Sequence, residues 1–255
     1  AHVLRNMQVV IDPDDLLVGR LAFQQPTAEE QERLERANEF MGAQPPAGGQ
    51  AGHMAPDFET LLTLGCNGVR ERIAGLVAGL DPASPGAAPK LAFYRAALEA
   101  LEGLGDLAGR HATESERLAA ETADEQRASE LREIAQVCRR VPAWPARTFH
   151  EALQAAHFLL FALNCVEACV LSSPGGLDRW LLPYLQADLR SGRITMQRAQ
   201  ELLDSFFLTF NQYLARGLGI GLLLGGRDAE GREVANELTW MGLHALDHVR
   251  LAYPS

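Results

Sequence analysis

The chain has 255 residues, 47% of them hydrophobic, enough to bury a substantial core as one large or two smaller domains. Its 33 acidic against 23 basic residues give a formal net charge of -10, which argues against a nucleic-acid or anionic-membrane surface. Cys66, Cys138, Cys165 and Cys169 form neither a CxxC pair nor a regular framework, so they are expected to be reduced thiols of a cytoplasmic protein. No secretory signal opens the chain, and the apolar run 158–171, interrupted by Asn164 and Glu167, is too short to span a bilayer.

Residues 1–9 read as the tail of a helix, and Ile11 to Gly19 as an acidic turn leading into a short apolar segment. Thr27 with Glu30 forms a capping box that opens a helix to about Met41. The loop 42–52 cannot pack a core. Helical spacing resumes from Asp57 to Leu80, broken near Gly65-Cys66-Asn67-Gly68, and a second loop fills 81–89. Two amphipathic helices follow, Lys90 to about Ala120 and Asp124 to Arg140, the second ended by Val141-Pro142. This makes 1–146 a mainly helical region.

From 147 to 255 the pattern changes to α/β. Thr148 and Glu151 predict a capping box, and the apolar spacing from Leu153 to Asn164 predicts a helix with one face on a core. Val166 to Leu171 predicts a buried strand, stopped by the turn Ser172-Ser173-Pro174-Gly175-Gly176, with Asp178 at the start of the next helix. Ligands of parallel α/β folds sit outside the carboxyl ends of strands, so this turn is the place to look for chemistry. Thr195 caps a helix from Met196 to about Arg216, Ile220 to Leu224 reads as a second strand, Asn236 starts a helix to about Asp247, and 249–253 reads as a third strand. Strands alternating with helices favour parallel pairing.

Other candidate groups have simpler readings. The cluster Gly217-Leu218-Gly219-Ile220-Gly221 precedes its strand rather than following it, the wrong order for phosphate binding at a helix start, and favours close backbone packing. His244 and His248 share a helix face but lack a third ligand, so packed or surface histidines are expected and no metal site. Cys165 and Cys169 are expected to fill core. His150 shows no evident orienting carboxylate, because Glu151 serves the capping box.

Three segments carry a resemblance. Ser173-Pro174-Gly175-Gly176-Leu177-Asp178-Arg179-Trp180, with Leu182-Pro183-Tyr184 and Asp188, resembles the S-P-G-R-F/L-D-Q-Y…Y-P-Y…D signature of glycyl radical enzymes, the pyruvate formate-lyase-like family. Pro145 to Gln154 is similar to the family's P-P-R-T-F-x-E-A-L-Q, and Leu224-Gly225-Gly226-Arg227-Asp228 through Asn236-Glu237-Leu238-Thr239 to its L-G-G-x-D-x-x-G…N-E-L-T. Residues 11–19 resemble its I-x-P-D-E-L-I-V-G element. The motifs occur in the family's order. Gly176 departs by standing where the family has arginine, and Arg179, in place of glutamine, is positioned to compensate.

The resemblance implies a helical shell followed by the first strands of a ten-stranded α/β barrel, a partial barrel within one domain. Both ends of the chain read as cut, so a missing half-barrel or partner chain is expected to complete it, with homo-oligomerisation, or poor solubility if the chain is made alone. In the family an iron-sulfur activase using S-adenosylmethionine places a radical on a glycine near the carboxyl terminus, and a loop cysteine relays it to substrate. Those loops would lie beyond residue 255. Gly65-Cys66 lies in the wrong region to supply the cysteine, so no catalytic residue and no directly bound cofactor are expected in this chain. The motif resembles most the dehydratase and lyase branch, acting on small polar substrates such as diols, choline or hydroxyproline, rather than the formate acetyltransferase. That branch implies Asp178, with Ser172 and Ser173 beside it, as substrate-binding residues. The alternative is a truncated, non-catalytic relative kept as a structural or interaction module.

Overall fold

Helices begin where a side chain can take up the free N–H groups of a first turn. The computed structural model describes residues 1–22, 26–43, 54–166, 172–213 and 220–251. Among them run α1 (His2–Asn6), α2 (Ala28–Ala43), α3 (Phe58–Ala78), α4 (Ala87–Glu121), α5 (Glu125–Arg140), α6 (Phe149–Phe161), α7 (Leu177–Trp180), α8 (Leu182–Arg190), α9 (Met196–Thr209) and α10 (Glu237–Val249). Thr27, Asp57, Asp124, Thr148, Thr195 and Asn236 each accept a backbone N–H in the first turn of the helix that follows.

Some boundaries differ from expectation. α4 starts at Ala87, which puts Pro89 in its first turn, where a proline costs no hydrogen bond, and shortens the loop 81–89. Glu151 does not reach back to the N–H of Thr148. Its carboxylate accepts from the Arg147 N–H at 2.6 Å and pairs with the guanidinium of Arg147 at 3.1 Å, with Arg140 3.4 Å away, so two cations draw it one residue outward. α6 ends at Phe161 and passes into a π turn at Ala162–Val166, where the buried Asn164 side chain donates to Leu160 O at 2.8 Å.

α6 is the centre of the molecule. Every residue in it except Leu159 is buried, so it presents core on all sides rather than on one face. α3, α4, α5, α8 and α9 pack around it. Phe149, Phe158, Phe161, Phe206, Phe207 and Phe210 supply the largest fully buried side chains. α4 and α5 form an antiparallel hairpin beside α6, tied by Arg139 to Glu116 at 2.6 Å. α2 contributes nothing to this core: each of its described side chains is exposed.

The break expected in α3 is real and has a partner. Gly65 adopts φ 65, and the N–H groups of Cys66 and Asn67, released from the helix, donate to Pro142 O and Ala143 O at 2.8 and 3.0 Å. A β-carbon on Gly65 would lie 2.6 Å from Ala143 O. The connection 141–146, which includes a cis Val141-Pro142 peptide, therefore plugs into the kink.

The strands are less developed than expected. The first, expected from Val166 to Leu171, begins on the last residue of the π turn, and 167–171 lie outside the described residues. In the second, Leu223 makes one isolated parallel bridge, to Gly176, and a second bridge pairs Arg227 with Glu233 in antiparallel sense; no continuous strand forms among the described residues. A parallel edge with one neighbour has little to pair with. In the third, Val249 is the last residue of α10, half-buried one turn beyond Ala245 and Leu246, and Arg250 closes the helix at φ 47.

Candidate functional site

The turn 172–176 leads into α7, and behind it stands Asp178, fully buried. Its carboxylate does not cap α7. Oδ2 accepts the Gly225 N–H at 2.6 Å and the Thr239 hydroxyl at 2.5 Å, while the Asp178 carbonyl accepts from Asn236 Nδ2 at 3.0 Å. Thr239 Oγ1 also accepts the Asn236 N–H at 2.9 Å, so its single proton is committed to the aspartate. One carboxylate oxygen thus joins the first glycine turn, the second glycine turn and the start of α10. The other, Oδ1, is buried without a hydrogen-bond partner.

The two serines part company. Ser172 is fully buried and its Oγ has no hydrogen-bond partner. Ser173 is occupied within the fold: Oγ donates to Gly221 O at 2.8 Å and accepts the Gly175 N–H at 3.2 Å. The turn is fixed from outside as well, by Trp180 Nε1 donating to Pro174 O at 3.0 Å and by stacking of Trp180 on Phe58 with centroids 4.8 Å apart. Arg179 donates to Gly225 O at 3.0 Å.

Asn236 and Thr239 were legible only as part of a motif. Their tie to Asp178 spans about sixty residues, and no local pattern announces it.

A second polar assembly lies across α6. Residues 11–20 form a strap whose backbone is read by side chains of that helix. Gln154 accepts the Val18 N–H at 2.9 Å and donates to Val18 O at 2.7 Å, as a neighbouring strand would. His157 donates to Gly19 O at 2.7 Å, and His150 to Leu16 O at 3.0 Å. His150 also has the carboxylate it was expected to lack, Glu133 Oε1 at 3.1 Å from Nδ1, and this hydrogen bond holds Glu133 below the usual carboxylate range. Burial lowers His157 to about 3 and His111 to about 4. It raises Asp15, at the turn of the strap, to about 7 against the pull of Arg127. Gln154, His157 and His150 thus pin the strap to α6.

The remaining candidates are structural. Burial pushes the Cys66 thiol up to about 11 and raises that of Cys138 further, so neither is a ready thiolate. His248 pairs with Asp204 at 2.8 Å, its ring 6.4 Å from that of His244. Among the described residues no three His, Cys, Asp or Glu side chains converge as a metal site, and no helix is long and apolar enough to cross a membrane. Cys165, Cys169 and residues 217–219 lie where side chains or backbone are outside the described set.

A protein-family model described as pyruvate formate lyase-like matches residues 21–255. Isethionate sulfite-lyase of Nitratidesulfovibrio vulgaris is 33% identical over 213 residues, 78% of this chain and 26% of its own length. (2S)-3-sulfopropanediol dehydratase of Klebsiella oxytoca is 29% identical over 94% of this chain and 30% of its own. A solved structure from Roseburia inulinivorans concerned with 1,2-propanediol dehydration superposes over the whole chain with a TM-score of 0.90 at 26% identity, using 40% of that protein. The chain therefore spans roughly a quarter to two fifths of the proteins it matches.

Proposed function

The chain belongs to the pyruvate formate lyase-like family, and from that premise we propose that it forms the amino-terminal part of a glycyl radical dehydratase or lyase acting on a small hydroxyl-bearing substrate. The half-satisfied carboxylate of Asp178 carries this reading. A fully buried carboxylate oxygen without a donor is costly, and a hydroxyl or cationic head group would relieve it with a charge-assisted hydrogen bond. Ser172 Oγ, buried and equally unpartnered in the segment just before, is a second group able to meet a polar ligand. Ser173 is left out of direct contact by its hydrogen bonds to Gly221 and Gly175 and serves to shape the turn.

In this reading the radical belongs to a carboxyl-terminal part of the polypeptide and is installed by an S-adenosylmethionine-dependent iron-sulfur activase; it would supply the hydrogen abstraction from substrate. The residues of this chain orient the substrate hydroxyl and keep water from it. Association with the rest of the barrel, and of the whole into a homo-oligomer, belongs to the same proposal.

The test uses the protein at its natural length, anaerobically, with its activase and S-adenosylmethionine. A glycyl radical signal and turnover of a diol, hydroxyproline, choline or hydroxysulfonate support the reading. Asp178→Asn should then retain the radical signal while losing at least about tenfold in kcat/KM, the loss expected for one charge-assisted contact of about 1.4 kcal/mol or more. Absence of any inducible radical would instead favour a non-catalytic module.

A further inference from the structure

We propose that Arg179 is a positioning residue that clamps the 173–176 turn onto the 225–226 turn, and that glycine at 176 is the space this clamp requires. The backbone of Gly176 does not itself demand glycine, since φ is -79. Its surroundings favour it. A β-carbon there would lie 3.2 Å from Arg179 Nε and 3.5 Å from Cδ and Cζ, so the arginine side chain lies flat against the glycine. The far end of the same guanidinium donates to Gly225 O at 3.0 Å and would lie 4.0 Å from a β-carbon on Gly226.

The clamp sits beside the parallel bridge of Gly176 with Leu223, where the Leu223 N–H donates to Gly175 O at 3.3 Å. That pairing is short and poorly reinforced, and a planar cation spanning both turns adds the contact that a longer strand would provide. The charge also reaches Asp228, which Arg232 and its own turn hold below the usual carboxylate range with help from Arg179. What the clamp fixes is the frame around Asp178, whose Oδ2 depends on the Gly225 N–H. The coupling of 176 with 179 stands apart from the substrate reading, because it is measurable with no substrate present.

The experiment is a double-mutant cycle on the protein at natural length. Gly176→Ala should lower the unfolding midpoint by about 2–4 °C in the parent and by little in an Arg179→Ala background, because the side chain that the new methyl meets first has gone. Gly176→Arg combined with Arg179→Gln, which carries the cation on the other residue, should melt within about 2 °C of the parent and above either single variant. Additive losses in the alanine cycle would overturn the proposal, even if Gly176→Arg alone does not fold. As a readout that packing alone would not move, Arg179→Lys, which keeps a cation able to reach Gly225 O, should recover most of the stability that Arg179→Ala loses. Equal losses in Arg179→Lys and Arg179→Ala would overturn the clamp.

Discussion

At the scale of single residues, the two oxygens of Asp178 stand in different surroundings. Oδ2 receives Gly225 and Thr239, while Oδ1 receives nothing from the fold. An asparagine in the same rotamer can keep its carbonyl oxygen on both donors, so Asp178→Asn should leave stability within about 1 kcal/mol of the parent. Asp178→Ala strands the Gly225 N–H and should cost about 2–3 kcal/mol, the range for lost hydrogen bonds to a charged acceptor. Urea unfolding of the two variants checks this, and equal losses would show that the charge itself holds the turns together. The position of Asp178 after a glycine turn was legible in the sequence, because turn residues announce themselves locally. Its partners were not, since nothing in residues 173–180 encodes a hydroxyl sixty residues away.

At the scale of elements, what was legible divides along the same line. Six helix starts were readable because a cap is chemistry among neighbours, and the α3 break was readable because Gly65 and Gly68 interrupt an apolar period. That the break receives residues 142–143 is a tertiary fact. Gly65→Ala places a β-carbon 2.6 Å from a backbone oxygen at a left-handed φ, and a loss of about 2–4 kcal/mol is expected, with the transition moved to lower urea. The strap was legible only as an acidic turn, and its docking depends on Gln154, which the helical spacing left unexplained. Gln154→Leu keeps the volume but leaves the Val18 N–H and C=O buried without partners, for a cost of about 2–4 kcal/mol. Amide exchange at Val18 should speed up in that variant beyond its global destabilisation. Exchange that only follows global unfolding would mean the strap is held by other contacts. The second strand stays short for a related reason: β texture states what a segment would do beside neighbours, and among the described residues 220–224 finds only the one bridge to Gly176.

At the scale of the whole molecule, two buried histidines and Asp15 of the strap shape how the fold responds to acid. His111 donates Nδ1–H to Leu107 O and leaves Nε2 buried without a partner, and His157 lies wholly inside beneath Gly19. Their folded values of about 4 and about 3 lie below the ordinary histidine value of 6.5. The unfolded chain therefore binds protons more readily, and the stability these two contribute is full above pH 6.5 and is lost as the pH falls toward 4 and then 3. Asp15 acts with the opposite sign. Its folded value of about 7 exceeds the ordinary 3.8, so its contribution is full at low pH and is lost as the pH rises from 3.8 through 7. Two histidines oppose one aspartate, so the net effect between pH 6.5 and 5 is a loss on acidification. It should approach about 1.4 kcal/mol per pH unit, the slope of one uncompensated proton, before most carboxylates begin to titrate. His157→Gln can still donate to Gly19 O but cannot be protonated, and should cancel most of that net slope, leaving His111 and Asp15 nearly balanced. Urea midpoints of parent and variant at pH 6.5 and 5 decide the matter. Parallel lines for the two proteins would mean that His157 is not the group whose protonation opens the core.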